Sequence, residues 1–442
     1  MRRYKLFIVS LMALPLVFVL VLVCGSTSDA LGSDESTADK SDSADLASMV
    51  STPKENDKAN DRSKYIVDYS AKKRKLNKAL KSYFDKAVAS GDIVGAGVSI
   101  VLGDSIAFSD GFGKLKSSGT RKVDGETLFR LGSLSKGFAG VLAADLKEEG
   151  KLHWTDRVRD FIPDFQLGDA DNTNKITLAH ILSHTSGTPY HSFTNLVDAG
   201  IPIKDIAKRF SEVNPISEPG AIYSYQNAMF SLCGEMMEKV TGNDISENLQ
   251  TRFFNPLGMC STTTDYEVLS NSVNVALPHV RARRGWRSSR LSDSYHNAIA
   301  AGGINASAHD MARWMRFLLG HNPEIMDKDA LAEAFKPQIE VNLGNKYYHR
   351  WPGHLTSHYA FGWRIHEFAR PKTLKKETVW HHGGSVNHFR NEIAVYPDSD
   401  MGICVLLNSN SRLARTVVPD LYEIVQKVYG EDVVSDGLAA ME

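Results

Sequence analysis

The chain has 442 residues, with 51 Lys and Arg against 52 Asp and Glu and a formal net charge of −1. That length holds a leader plus one large domain or two lobes, and the balanced charge argues for neither a nucleic-acid partner nor a strongly charged substrate. No internal repeat is apparent.

The first element is a leader. Met1-Arg2-Arg3-Tyr4-Lys5 is basic, and Leu6 to Val23 is almost wholly apolar, with Pro15 inside it. A basic start and an apolar run read as an export signal, and the run also reaches the rough eighteen-residue length of a spanning helix. Basic residues on the short side predict an inside N-terminus. Cys24-Gly25-Ser26 is similar to a lipoprotein acceptor, although Val23 stands where a small residue is usual. A cleaved signal, an uncleaved anchor over residues 1–24 and lipidation at Cys24 all stay open, and attachment of the N-terminus to a membrane is expected. All three put the rest of the chain outside the cytoplasm, in the periplasm or cell envelope. Residues 25–64 are rich in Ser, Asp, Lys and Ala and nearly free of large apolar side chains. Such a stretch cannot bury enough surface to offset chain entropy and is expected to be a disordered tether.

The folded part is expected over residues 65–435. Leu76, Leu80, Tyr83, Phe84, Ala87 and Val88 recur at helical spacing in a lysine-rich segment, which predicts an amphipathic surface helix. Gly97-Val98-Ser99-Ile100-Val101 and Ser105-Ile106-Ala107-Phe108 read as a strand pair turning at Gly103-Asp104. From Lys136 to about Leu319 helical patterns dominate. Tyr359 to Ile365, Asn391 to Tyr396 and Gly402 to Leu407 read as strands, and a closing helix covers about Arg415 to Val428. Strands at both ends with helices between imply an α/β (α+β) fold. One sheet (65–135 and 355–435) is built from both chain ends, with a helical lobe (136–354) inserted. Cys233, Cys260 and Cys404 follow the leader; a Cys233–Cys260 bridge and free buried thiols both stay open, and Cys404 sits in an apolar strand as a small hydrophobe.

Ser133-Leu134-Ser135-Lys136 is the most informative segment. On a helix, residues i and i+3 share a face, so the Ser133 hydroxyl and the Lys136 amine can touch. A serine is a poor nucleophile until a base takes its proton, and a neutral lysine can do so. Ser51…Lys54 and Ser70…Lys73 repeat the spacing in polar or basic stretches, where a solvated ammonium only donates. Around Ser133 the setting differs. Thr127 to Leu131 is a strand-like approach, Gly132 gives a tight turn, and an apolar helix follows from Phe138. Burial there would lower the lysine pKa. The plain alternative is a helix-capping serine with an exposed lysine.

Two further motifs lie downstream. Tyr225-Gln226-Asn227 is a Tyr-x-Asn, and His382-Gly383-Gly384-Ser385 lies between apparent strands. Ser-x-x-Lys, Tyr-x-Asn and His-Gly-Gly in this order resemble the penicillin-recognising serine hydrolases. The likeness is to the branch with class C β-lactamases, some DD-peptidases, D-amino-acid peptidases and related esterases. It runs from about Ala96 to Asn408 and includes Leu182 to Gly187, Asn255 to Met259 and Ala301 to Ser307. It implies a β-lactamase/transpeptidase-like fold, an antiparallel sheet with helices on both faces and a site at the lobe boundary. A second Tyr-x-Asn, Tyr295-His296-Asn297, precedes Ala301, a segment the likeness places elsewhere in the helical region.

The resemblance implies a small-molecule or peptide substrate attacked by Ser133 and no cofactor. Lys136 is the first candidate base. Tyr225 is the second, if the lysine's charge pushes the phenol towards phenolate. Asn227 would hold a substrate amide and steady Lys136, and the backbone N–H groups of Ser133 and Ser385 would form the oxyanion hole. His382 and Gly383 stand where class C enzymes carry lysine and threonine, so carboxylate binding should be weaker unless an arginine such as Arg390 reaches in. His382 is also expected to be largely neutral near pH 7, and Gly383 and Gly384 to let a substrate backbone lie against the strand. Two other classes compete. One is a non-catalytic wall-binding relative. The other is a metallohydrolase built on His381-His382 or His354…His358, for which no His-Glu-x-x-His is present. His184 is expected to brace a loop as a hydrogen-bond donor.

Overall fold

The computed structural model describes residues 55–341, 346–370 and 376–430. The leader, most of the expected tether and Ser51…Lys54 lie outside the described residues. Helix α1 (Glu55–Ala89) begins inside the region expected to be a tether, so residues 55–64 are helical rather than disordered. Low apolar content argued against a core there, but Glu, Lys, Ala and Arg favour helix without one. The predicted apolar stripe is in place: Leu76, Leu80, Phe84 and Ala87 are buried. Lys73 is exposed, as a solvated lysine would be.

Among the described residues twelve strands follow in chain order: β1 (Gly95–Leu102), β2 (Ser105–Gly113), β3 (Phe129–Arg130), β4 (His279–Ala282), β5 (Gly285–Ser288), β6 (Asn305–Ala306), β7 (Ile339–Glu340), β8 (His354–Tyr359), β9 (Arg364–Ala369), β10 (Lys376–Val386), β11 (Phe389–Tyr396) and β12 (Met401–Leu407). Eight of them form one antiparallel sheet in the order β2-β1-β12-β11-β10-β9-β8-β7. Chain ends therefore meet: β12 pairs with β1 from Ala96↔Leu407 to Leu102↔Met401.

The period-two pattern of β12 sorts its side chains between two apolar layers. Ile403 and Val405 join Leu80, Phe84, Val418 and Leu421 beneath α1 and the closing helix Val417–Tyr429. Cys404 and Leu406 face the other layer, with Phe138, Leu142 and Trp314. There the helix α2 (Ser135–Glu148) packs beside the helix Ala308–Leu318, and the rings of Phe138 and Trp314 stack 4.0 Å apart. Cys233 and Cys404 are buried thiols, Cys260 is exposed, and no Cys233–Cys260 bridge forms.

One expected strand is corrected. Tyr359 to Ile365 is not one strand but the end of β8, a turn and the start of β9. Gly362 adopts φ +79°, which ends the extended run. A Cβ there would sit 2.1 Å from the Lys136 carbonyl oxygen, so the turn lies directly on the first turn of α2. Trp363 Nε1 donates to the Gly137 carbonyl at 3.2 Å, and a Cβ on Gly140 would come within 1.9 Å of the Phe361 carbonyl oxygen. The bare edge of α2 thus seats the turn that carries Tyr359 and Arg364 to the site.

This contact fixes the sign of a simple experiment. Gly→Ala inside a helix ordinarily stabilises by about 1 kcal/mol. Gly234 lies in the helix Asn227–Thr241, and its added Cβ would meet only ordinary contacts at 3.7 Å or beyond. Gly234→Ala should therefore raise the Tm. Gly140→Ala should lower it despite the same propensity gain, because the colliding atom is backbone. Equal shifts in thermal unfolding would contradict the packing described.

Candidate active site

Ser133 occupies a 3-10 turn, Gly132–Leu134, that feeds into α2. The approach is anchored on both sides: β3 pairs with β6, the Leu131 amide donates to the Ile304 carbonyl at 3.0 Å, and Asn391 Nδ2 donates to the carbonyls of Arg130 and Leu131. Gly132 has φ +57°, and a Cβ there would stand 3.0 Å from the backbone of Ser385. The glycine lets the exposed end of β10 lie against the serine turn. Gly384 does the same from the other side, since its Cβ would meet the Leu131 carbonyl oxygen at 2.1 Å. The absence of a side chain at Gly384 thus serves the serine turn.

Lys136 is fully buried. Its Nζ donates to Asn227 Oδ1 at 2.8 Å and to the Ala301 carbonyl at 2.8 Å, and lies 3.4 Å from Ser133 Oγ. The rings of Tyr225 and Phe230 stand 4.8 and 5.4 Å away. Among the described residues no carboxylate pairs with it. Burial, aided by the Arg364 charge, therefore holds the amine well below the ordinary 10.5. A neutral amine has two hydrogens, which suit the two oxygens at 2.8 Å, and one lone pair, which is left for the serine proton.

Tyr225 Oη donates to Ser133 Oγ at 2.9 Å, opposite the lysine. The expectation that Lys136 drives this phenol towards phenolate is corrected. With the lysine neutral, burial outweighs the Arg364 charge and pushes Tyr225 up to about 12, so it stays a phenol. Asn227 begins the helix Asn227–Thr241; its Oδ1 holds the lysine and its Nδ2 donates to Tyr295 Oη at 3.0 Å. The second Tyr-x-Asn is thus not remote. Tyr295 has φ +68°, and a Cβ on Gly302 would lie 2.7 Å from its ring. The Ala301-Gly302-Gly303 run makes room for Tyr295 while Ala301 supplies the lysine's second acceptor. His184 braces the Tyr225 loop as an acceptor, not a donor: its Nδ1 receives the Gln226 amide at 3.1 Å, and its ring lies 4.1 Å from that of Tyr225.

The third motif splits across the sheet. His382 is buried, with Nε2 3.0 Å from Tyr359 Oη and Nδ1 2.8 Å from the Gly383 carbonyl. Burial, aided by the Arg364 charge, pushes its pKa well down, so it is a neutral strut behind Tyr225 and is not among the residues lining the cleft. His381 points the other way, into a buried relay. His354 Nε2 lies 2.8 Å from Ser357 Oγ, Ser357 Oγ 2.7 Å from His366 Nδ1, His366 Nε2 3.1 Å from His381 Nδ1, and His381 Nε2 2.9 Å from Glu392 Oε2. Burial holds His366 and His381 neutral. One proton per link then satisfies the whole row, each imidazole donating towards Glu392. Ionised Glu392 also accepts from Tyr347 Oη at 2.7 Å and from the Arg390 guanidinium at 2.9 Å.

That relay ends at a cavity of about 180 Å³, walled by Tyr225 and Gly383 on the serine side and by Arg364, Arg390 and Lys346 beyond. Arg390 does reach in. Arg364 was not anticipated. It lies over the Tyr348 and Tyr359 rings at 5.5 and 5.7 Å, and its Nε is buried without a hydrogen-bond partner. Among the described residues it has no ion-pair partner. In the sequence it appeared only as a polar position in an apolar run.

Comparison with known proteins bears on family and fold. The profile of the Beta-lactamase family matches residues 80–425. The chain belongs to the beta-lactamase family. Its curated relatives include an unguisins hydrolase of Aspergillus campestris, 26% identical over 72% of this chain and 59% of that protein. Another is the protein flp of Staphylococcus aureus strain MW2, 24% identical over 75% of this chain and 63% of that protein. The chain thus spans about three-fifths of the length of these relatives. Solved structures share the fold. A penicillin-binding protein homologue from Pyrococcus abyssi, described as octameric, superposes with a TM-score of 0.66 at 23% identity, covering 78% of this chain and 77% of that one. EstCE1, a hydrolase with promiscuous acyltransferase activity, gives 0.67 at 20% identity, covering 81% and 99%.

Glu392 gives this family member a pH signature. Burial, opposed by Arg390 and Tyr347, raises its carboxyl from 4.5 to about 7. Between those values only the unfolded chain ionises it, so its share of stability is present below pH 4.5 and is lost as pH rises to 7. Relative to Glu392→Gln, the native chain should lose Tm between pH 5 and 8. Parallel melting curves for the two proteins across that range would contradict the burial assigned to this carboxyl.

Proposed function

We propose that the chain is a serine hydrolase that forms an acyl-ester on Ser133 from amide or ester substrates. The observation that carries this reading is the uncompensated burial of Lys136 beside the Ser133 hydroxyl. Lys136 takes the serine proton as Oγ attacks the carbonyl carbon. Tyr225, a phenol hydrogen-bonded to Oγ, passes its proton to the leaving group and receives in turn the proton held by Lys136; the amine, neutral again, takes a proton from the water that splits the ester and returns it to Ser133 Oγ. The amides of Ser133 and Ser385 stabilise the oxyanion, and Asn227 keeps the lysine in place.

Three substrate classes follow from the family: D-amino-acid peptides, β-lactams and small esters. The cleft favours those with an anionic group. Arg364 is unpaired and Lys346 and Arg390 share its cavity, against the single carboxylate of Glu392. This supplies by other residues the charge that lysine and threonine give in class C enzymes. Residues 1–54 lie outside the described residues, and among the described ones no helix is long and apolar enough to cross a membrane. We infer export and membrane attachment from the basic and apolar leader alone.

Two experiments test this reading. A fluorescent penicillin and a p-nitrophenyl ester should label or be turned over by the native chain. Ser133→Ala should lose that activity by on the order of a thousand-fold or more. Turnover that survives Ser133→Ala and falls with a chelator would overturn the serine mechanism. Next, paired esters differing only by an acyl-side carboxylate should show a KM preference for the anionic member. Arg364→Met should erase roughly ten- to hundred-fold of it, as expected for hydrogen bonds to a charged group. An unchanged preference in that variant would remove Arg364 from substrate binding.

A further inference from the structure

The net charge of −1 conceals a strong local asymmetry. Residues 114–122 carry Lys114, Lys116, Arg121 and Lys122 with no carboxylate, and residues 281–290 carry Arg281, Arg283, Arg284, Arg287 and Arg290 with none either. The fold lays the two stretches side by side. The Leu277 amide donates to the Leu115 carbonyl at 3.0 Å, and the Ser117 amide donates to His279 Nε2 at 3.0 Å. Most of the second stretch is the hairpin β4–β5. Trp286 Nε1 and Arg281 both donate to the Gly91 carbonyl at 2.9 Å, which pins the hairpin to the end of α1.

All nine cations are exposed. Among the described residues none has an ion-pair partner. Of the carboxylates near them in sequence, Asp110 accepts from the Gly111 amide, Asp124 from Thr127 and Asn274, Glu126 from Ser261, and Asp265 caps the helix Tyr266–Asn271, while the exposed Asp293 forms no ion pair with Arg290. Elsewhere in the chain Lys175, Arg209 and Arg252 do pair with carboxylates. Between the two stretches runs an open groove of about 570 Å³. Lys116 and Arg290 stand on its rims, Tyr266 and Ser289 add hydroxyls, and Leu277 and Leu291 contribute apolar wall. Val273 and Val268 are 79% and 55% exposed beside it, with Arg121 bonded to the Val273 carbonyl.

We propose that this face docks on the anionic phospholipid surface of a bilayer, with the groove taking a phosphate headgroup. Guanidinium groups bind phosphate oxygens in pairs, and clustered Lys and Arg are drawn to an anionic leaflet. The apolar groove wall and the two bare valines suit an amphiphile better than a soluble polyanion. Nucleic acid fits less well, because the aromatic rings here are not free platforms: Trp286 is half-buried and Tyr266 packs 5.3 Å from His296. The inference is independent of the serine chemistry and concerns a different part of the surface.

The test uses the full chain, reconstituted in vesicles of phosphatidylcholine alone or mixed with phosphatidylglycerol. The apolar leader is common to both, so the comparison isolates the basic face. Backbone hydrogen exchange of residues 114–122 and 279–291 should slow several-fold in the anionic vesicles, and high salt should reverse the protection. Replacing the five arginines 281, 283, 284, 287 and 290 with Gln should abolish the protection while ester hydrolysis persists; Lys116→Gln with Arg290→Gln should weaken it. Equal exchange of the native chain in both vesicles would overturn the proposal. So would protection by DNA or inorganic polyphosphate without protection by the anionic vesicles.

Discussion

A fully buried lysine amine with two good acceptors and no anionic partner among the described residues is the constraint around which the site is arranged. Removing a charge from water costs several kcal/mol unless a partner offsets it. Around Lys136 the partners are a side-chain amide and a backbone carbonyl, which can accept from an amine but cannot neutralise an ammonium. The same burial keeps Tyr225 protonated. In the proposed mechanism one desolvated pocket therefore gives two neighbouring groups opposite proton roles, a base and an acid, on the same serine hydroxyl.

Close approach of backbone to backbone builds that pocket. Gly132 and Gly384 let the serine turn and β10 touch, and Gly140 and Gly362 seat the β8–β9 turn on α2. Gly302 and Gly303 fold the Ala301 carbonyl over Lys136 beneath Tyr295. Each contact removes space that water would otherwise fill. The glycines shape the dielectric of the site as well as its outline.

Much of this was legible in the chain. The apolar stripe of α1 was visible because burial imposes a period on it, and β1, β11 and β12 were visible as short, mostly apolar runs buried on both faces. Ser133, Lys136, Tyr225 and Asn227 stood in motifs, and the fold brings those four together. The rest depended on tertiary contact. Tyr359 to Ile365 has the composition of a strand, and only the carbonyl of Lys136 against Gly362 shows why it must turn. Tyr295 stood in a second Tyr-x-Asn that the likeness placed elsewhere, and it acts through Asn227; Arg364 carried no local signal, since it acts through a cavity closed by distant strands. The doublet His381-His382 looked like one feature and is two, because adjacent strand residues face opposite sides. The basic hairpin was hidden by a chain-wide charge sum that a spatial view takes apart.

The cleft and the basic face divide the molecule's cations into two kinds. Arg364 and Arg390 sit among tyrosines with limited water, where a charge is strong and selective. The nine exposed cations are screened singly and act only together. Everything at the reactive centre still returns to the state of one amine. Lysine labelled with nitrogen-15, followed by NMR against pH and assigned with Lys136→Arg, measures it directly. The account predicts that the Lys136 resonance loses its proton first of all the chain's lysines, well below the ordinary 10.5. A Lys136 amine that stays cationic into the range of the exposed lysines would contradict it.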